Sequence, residues 1–287
     1  MLVAGSIPDA PSFAQIEPFV YVFQGAGPMH IASLLLEDVD RLFLIDTQLE
    51  DENNHALIAQ IKRQFPDKPL DTVIISHYHL DHYLGLKFFQ AAFGDFAIVG
   101  PPDARRQMDH STEAIWETYE EVSQQRTLTK ADVIYPAREV SQGFTISFSG
   151  REMQFELIGP NEAWATLVGY LPDTKTLYAS DVLLRGIYID PAIGGTVQGW
   201  ANESAALLDT YPDIGAVISG HVVGLSTREE LAAFAASIAQ TIAIVRELIA
   251  GGAAVEDVLS HEFPPAITLF ARDFTLRNIY NELRATT

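Results

Sequence analysis

Apolar and polar positions alternate or cluster along this chain in two recognisable periods. Val20 to Gln24, Ile31 to Glu37 and Arg41 to Asp46 are short β-branched and aromatic runs, which predict a strand meander. Asp51 to Gln64 has helical spacing, with Asp51-Glu52 placed at the positive end of the helix dipole. Asp71 to Ser76 is an apolar stretch that predicts a buried strand, and Leu84 to Phe93 a short helix. Pro102 to Arg126 is a long polar helical stretch. Runs at Thr145 to Phe148, Met153 to Leu157, Thr166 to Tyr170 and Thr176 to Ala179 predict a second sheet. Thr227 then caps a long helix whose apolar positions Leu231, Phe234, Ile238, Ile242, Val245 and Ile249 step by three or four, and Gly251-Gly252 stops it. That stripe reads as core, and is also compatible with a homodimer contact.

The chemistry concentrates in one place. Of eight histidines, three fall within His77-Tyr78-His79-Leu80-Asp81-His82, directly after the Asp71 to Ser76 strand. Imidazole and carboxylate are ligands for divalent zinc, and strand ends are where α/β proteins place their sites. In an extended backbone His77 and His79 point to one side. Asp81 and His82 lie past the turn and can face a second ion, so one loop can serve two metals ~3.5–4 Å apart.

His-x-His-x-Asp-His after a strand resembles the metallo-β-lactamase superfamily. Leu42-Phe43-Leu44-Ile45-Asp46-Thr47, Leu177-Tyr178-Ala179-Ser180-Asp181 and Ile218-Ser219-Gly220-His221 resemble its further landmarks, in the same order. The resemblance spans roughly Val20 to Leu231. It implies an α/β fold, an αββα sandwich of two mixed sheets flanked by helices, with a dinuclear site at one edge. The family's third histidine has no counterpart here: the equivalent stretch, Gly159 to Thr166, contains none, and Glu162 falls at its position. In this the chain resembles the alkylsulfatase branch. The implied ligand sets are His77, His79 and Glu162 for one ion, and Asp81, His82 and His221 for the other, with Asp181 bridging. Zinc is the default metal. An added carboxylate shifts preference toward manganese or iron. A metal-activated hydroxide is the implied nucleophile, with Asp81 orienting it.

Composition narrows the function. A formal net charge of −20 argues against nucleic acid as a partner, which phosphate recognition would make basic. The absence of cysteine rules out disulfides, thiolate ligation and a cysteine nucleophile. No Gly-x-Ser-x-Gly elbow is present. No apolar stretch reaches the length needed to cross a bilayer, and the first residues lack a basic region and a long apolar core, so the expectation is a cytoplasmic protein. With no linker and no repeat, the 287 residues read as a single domain with a helical insertion near 102–126 and C-terminal helices from 227.

These readings converge on a metal-dependent hydrolase acting on a small-molecule ester: a thioester, lactone, carboxylic or sulfate ester. Asp181 and Glu162 stand where true β-lactamases carry other residues, so β-lactamase activity is not expected. Two alternatives are an iron-dependent oxidoreductase or oxygenase of the same fold, and a catalytically silent binding module. Substrate contacts are expected from His30, which follows the flexible run Gly25 to Met29, and from Trp164, Tyr188 and Trp200, on stretches read as loops near the metals. His110, Met108, Trp116 and Tyr119 lie in the insertion, which reads either as a lid or as an edge-packed helix. His55 and His261 read as ordinary surface residues.

Overall fold

The computed structural model describes residues 10–122 and 126–286. The three residues before Arg126 in the predicted 102–126 helical stretch, and the first residues, read above as lacking a basic region and a long apolar core, lie outside them.

The first sheet runs in chain order: β1 (Ser12–Glu17), β2 (Val20–Gln24), β3 (Ala32–Glu37), β4 (Leu42–Ile45), β5 (Leu70–Ile74), β6 (Ala97–Gly100) and β7 (Arg138–Glu139). β1 to β4 are antiparallel, and β4 to β7 pair in parallel. The second sheet comprises β8 (Phe144–Phe148), β9 (Arg151–Ile158), β10 (Thr166–Leu171), β11 (Thr176–Ser180) and β12 (Ala216–Ser219). It is antiparallel except for the β11–β12 pair, which is parallel.

Period-two alternation explains how the sheets stack. Val20 and Val22 of β2 face the second sheet and join Leu34, Leu36, Ile45 and Ile74 against Phe148, Phe155, Leu167 and Tyr178. Tyr21 and Phe23, on the opposite face, pack under helices α1 (Asp51–Gln64), α2 (Leu80–Tyr83), α3 (Leu86–Phe93) and α4 (Ala104–Val122). The outer face of the second sheet buries Leu177, Ala179 and Val217 against α5 (Val197–Thr210), α6 (Arg228–Ala250), α7 (Val255–Ser260) and α8 (Arg272–Ala285). The layers are therefore helix, sheet, sheet, helix.

α6 begins at a capping box, in which Thr227 Oγ1 accepts from the Glu230 backbone N–H at 3.1 Å. Leu231, Phe234, Ile238, Ile242 and Val245 are buried along it, whereas Ile249 is only partly so. One expectation is corrected here. By length and composition α6 is apolar enough to cross a bilayer. Its isoleucines, leucines, valine and phenylalanine carry most of that character, and Leu231, Phe234, Ile238, Ile242 and Val245 among them are buried in the core beneath the second sheet.

The architecture sends several strand ends to one edge. β4 and β5 in one sheet, and β11 and β12 in the other, are parallel pairs whose C-terminal ends meet there. The sheets are tied at that edge by Leu167 N–H to Ser76 O at 2.7 Å and by Ala32 N–H to Gly220 O at 2.8 Å.

Candidate metal centre

Each candidate ligand follows directly from a strand end or a short turn. β5 stops at Ile74, and the chain bends over Ser76 to Tyr78 before His79, whose extended backbone forms the N-terminal boundary of α2. The turn of α2 then places Asp81 and His82 beside His77. β11 ends at Ser180 and delivers Asp181; β12 ends at Ser219 and delivers Gly220-His221. Gly220 is required by close approach, because a Cβ there would lie 1.9 Å from Asp181 Oδ1. Glu162 sits in the β9–β10 turn, which Asn161 shapes by accepting from the Ala163 N–H at 2.9 Å and from Thr166 Oγ1 at 3.1 Å.

Two groups of side chains converge there: His77, His79, Glu162 and Asp181 in one, Asp81, His82 and His221 in the other. His79 Nδ1 lies 2.9 Å from Glu162 Oε1, and His77 Nε2 lies 3.7 Å from both Glu162 Oε2 and Asp181 Oδ2. His221 Nε2 is 3.0 Å from Asp81 Oδ2 and 3.1 Å from Asp181 Oδ2. His82 Nε2 is 3.4 Å from the same Asp181 oxygen. Asp181 thus reaches both groups.

The outward ring nitrogens are held from behind. His82 Nδ1 lies 2.8 Å from Asp46 Oδ2, His77 Nδ1 3.0 Å from Ser76 Oγ, His79 Nε2 3.3 Å from Ile193 O, and His221 Nδ1 2.7 Å from Met29 O. Such partners fix which nitrogen faces inward. Inside the ring, His77 Nε2, His82 Nε2, Glu162 Oε2 and Asp181 Oδ1 are buried without a hydrogen-bond partner. Buried orphan donors of this kind are costly unless something satisfies them. Their chemistry, imidazole nitrogen with carboxylate oxygen, fits divalent metal ions.

The electrostatics agree. Burial opposes a charge on His82 and His221, but the carboxylates of Asp81 and Asp181 outweigh it, and both imidazoles hold protons more tightly than ordinary histidine. A cage that retains protons so strongly is a cage built for cations. His77 goes the other way, lowered by burial and then by the imidazoles of His82 and His79. Burial lifts Glu162 above the usual carboxyl range against the pull of His79.

His79, Glu162, Asp181 and His221 form the floor of a 430 Å³ cavity, with His77, Asp81 and His82 behind them. Its walls are largely apolar, from Met29, Ile115, Leu184, Ile193 and Phe270, with Thr118, Tyr119 and Arg185 adding polar groups. Of the four expected substrate contacts, His30 and Tyr188 line this cavity. Trp200 does not: it is fully buried in the core, packs 5.3 Å from Phe234 and donates from Nε1 to Val182 O at 3.0 Å. The stretch read as a loop around it is α5, and a helix facing the second sheet buries its largest apolar side chain. Trp164 also lies outside the lining; its ring packs 5.7 Å from His110 and covers Gly194. His55 packs 4.7 Å from Phe88 and His261 5.3 Å from Phe263, both away from the cavity.

Some residues at the site carried no expectation of their own. Asp46 was legible as a landmark, but its four-donor role was not. Tyr119, whose hydroxyl donates to Asp81 Oδ1 at 2.7 Å, had only its place in the polar helix as a signal. Arg185 had its position four residues after Asp181.

The fold and the motif both have known counterparts. The structure superposes on the stereoselective inverting sec-alkylsulfatase Pisa1 from Pseudomonas sp. with a TM-score of 0.72 at 19% identity, covering 94% of this chain and 50% of that one. It also superposes on a metallo-beta-lactamase from Hirschia baltica with a TM-score of 0.60 at 16% identity, covering 79% and 97% respectively. In sequence it is 28% identical over 200 residues to the 2,4-dinitroanisole O-demethylase subunit alpha of Nocardioides sp. (strain JS1661), covering 69% of this chain and 54% of that protein. The chain thus spans about half the length of that relative and of the alkylsulfatase. The family model of the metallo-beta-lactamase superfamily matches residues 26–223, and with these landmarks in place the chain belongs to that superfamily.

Proposed function

We propose that this protein is a dinuclear metal-dependent hydrolase of ester-type small molecules: thioesters, lactones, carboxylic esters or sulfate esters. In this reading His77, His79 and Glu162 hold one ion, Asp81, His82 and His221 the other, and Asp181 bridges. One observation carries it: buried inward atoms of both groups lack a hydrogen-bond partner, directly beneath an apolar-walled cavity that His79, Glu162, Asp181 and His221 line. Zinc is the default metal, with manganese or iron as alternatives for so carboxylate-rich a set. Bound divalent ions would supply Lewis acidity and lower the cost of deprotonating water.

The chain's own residues do the rest. The walls exclude water and hold the apolar part of the substrate beside the floor. Asp81, with Oδ2 turned toward His221, is placed to accept a hydrogen bond from the attacking water and so to orient it. Tyr188, His30 and Arg185 offer polar contacts around the cavity.

A second reading, cleavage of a methyl aryl ether, is favoured by the similarity to the O-demethylase subunit alpha. Elemental analysis of chelator-free protein, followed by turnover of ester and aryl-ether panels, separates the two. Two zinc or manganese ions per chain with ester turnover supports the proposal. Iron with visible colour points to a redox enzyme, and less than one ion per chain after incubation with zinc or manganese defeats the dinuclear reading.

A further inference from the structure

The inner face of α4 reaches the metal centre. Tyr83, at the end of the α2 turn, has its hydroxyl 2.8 Å from Thr112 Oγ1 of α4. One turn further along, Ile115, Thr118 and Tyr119 line the cavity wall, at the i, i+3 and i+4 spacing that puts them on one helical face. The Tyr119 hydroxyl then donates to Asp81 Oδ1 at 2.7 Å.

The end of the helix is anchored as well. The Thr127 backbone N–H donates to Asp51 Oδ2 at 2.6 Å, at the first turn of α1. The Arg126 guanidinium stacks 4.7 Å from the Trp116 ring, and Trp116 Nε1 donates to Glu120 Oε1 at 2.7 Å. These contacts hold Tyr119 from behind, so its hydroxyl meets Asp81 as part of a fixed helix.

A carboxylate offers two oxygens, and Asp81 has them divided. Oδ1 accepts the hydrogen bond from the Tyr119 hydroxyl. Oδ2, with Oδ1 so occupied, is turned toward His221 at 3.0 Å and His82 at 3.5 Å. The last torsion of an aspartate is broad, so an unrestrained carboxylate would rock about it. The hydrogen bond from Tyr119 to one oxygen fixes the carboxylate plane and so the direction of the other.

We infer that Tyr119 is a positioning residue: it fixes the plane of the Asp81 carboxylate so that the oxygen it does not hold faces the His82–His221 ion site, and it thereby couples α4, the helix that walls the substrate cavity, directly to that site. This rests on the two-ion reading above. The first group, His77, His79 and Glu162, has no contact of this kind with α4 among the described residues, so the effect of losing the hydroxyl is confined to one of two ions.

The test compares the full chain with Tyr119→Phe, which deletes only the hydroxyl, in stepwise titrations with cobalt(II) and zinc against a competing chelator. The metal-free variant should unfold at the temperature of the metal-free parent. One ion step should lose about 10–100-fold in affinity, the usual effect of removing a partner of a ligating side chain, while the other step is unchanged. The cobalt absorption bands of the affected step should shift. Tyr119→Trp, whose ring N–H can donate, serves as a second variant and should recover part of the loss if the donor matters. Two unchanged steps in Tyr119→Phe would overturn the inference. So would equal weakening of both steps, or a drop in metal-free stability large enough to explain the loss, because either marks a merely structural role. A parent chain that binds fewer than two ions would instead defeat the two-ion reading, and this inference with it.

Discussion

Nδ1 of His82 lies 2.8 Å from Oδ2 of Asp46, a residue outside both groups of candidate ligands. The same carboxylate accepts from the Ser76 N–H at 2.7 Å, Ser76 Oγ at 2.6 Å and the Tyr178 hydroxyl at 2.6 Å. Asp46 therefore holds a histidine of α2, the serine just after β5 and a tyrosine of the second sheet. Its backbone is left-handed, with φ of 60°, which asparagine tolerates. Asp46→Asn should thus preserve the backbone yet offer only one accepting atom to these donors. The expected loss is about 10–100-fold in affinity for the ion at His82 and about 1–3 kcal/mol of metal-free stability. Chelator competition and thermal melts measure the two separately; an Asn variant matching the parent in both would show that Asp46 is dispensable.

Glu162 separates the two ion sites chemically. If its Oε1, 2.9 Å from His79 Nδ1, is a ligand, Glu162→Gln should reduce the metal content from about two ions to about one, since a neutral amide is a poorer donor. Glu162→His should keep both, by restoring an imidazole. Metal analysis decides: two ions retained in the Gln variant would assign Glu162 to a purely hydrogen-bonding role.

Arg185 is exposed at the cavity wall and close enough to His30 to influence its charge. For ester substrates carrying an anionic group near the reacting carbon, Arg185→Ala should raise KM several-fold with kcat little changed, the pattern of lost uniform binding. Neutral esters should be unaffected. Equal effects on both substrate kinds would remove Arg185 from recognition.

True β-lactam turnover should be negligible. A floor of Asp81, Glu162 and Asp181 offsets most of the positive charge of two divalent ions, so it attracts a β-lactam carboxylate weakly. Penicillin or carbapenem hydrolysis by zinc-loaded protein near ~10⁴ M⁻¹s⁻¹ in kcat/KM would count against this account.

Acid should loosen the opposite edge of the sandwich first. The Ser149 and Val39 backbone N–H groups hold the Asp38 carboxyl below its ordinary value, and Arg151 does the same for Asp173. Arg151 also donates to Glu17 at 2.8 Å, which ties β9 to β1. Carboxyls with depressed folded values add stability that is complete above the unfolded value of 3.8 and vanishes as pH falls through the folded one. Melting temperatures of the parent and of Asp38→Asn and Asp173→Asn should therefore differ near neutrality and converge in strong acid. A gap that stays constant with pH would refute the assignment.

The strand–loop motif was readable because its chemistry is local: His77 to His82 sit within one turn of a strand end, and the αββα layering follows from period-two alternation in β2, β3 and β10. Elements with weak local signals were not. β6 is four residues long, and α5 carries Gly199 and a mixed polar pattern that hid its helical period. Trp200 was misplaced for that reason, since an aromatic in an unrecognised helix looks like one in a loop. The Tyr119–Asp81 contact joins residues 38 apart through helix docking, which no spacing rule anticipates.

Ser76 Oγ and Ser180 Oγ meet at 2.9 Å across a separation of 104 residues, one from each sheet. Both groups of candidate ligands straddle this seam: His77, His79, Asp81 and His82 belong to the first half, Glu162, Asp181 and His221 to the second. An ion seated in either group would rivet the two halves together, closing a loop whose ends the unfolded chain must find unaided. Neither half alone offers a complete coordination set, so the centre comes into being only when the halves dock in register. Occupancy would then report the alignment of the sheets to within the length of a coordination bond.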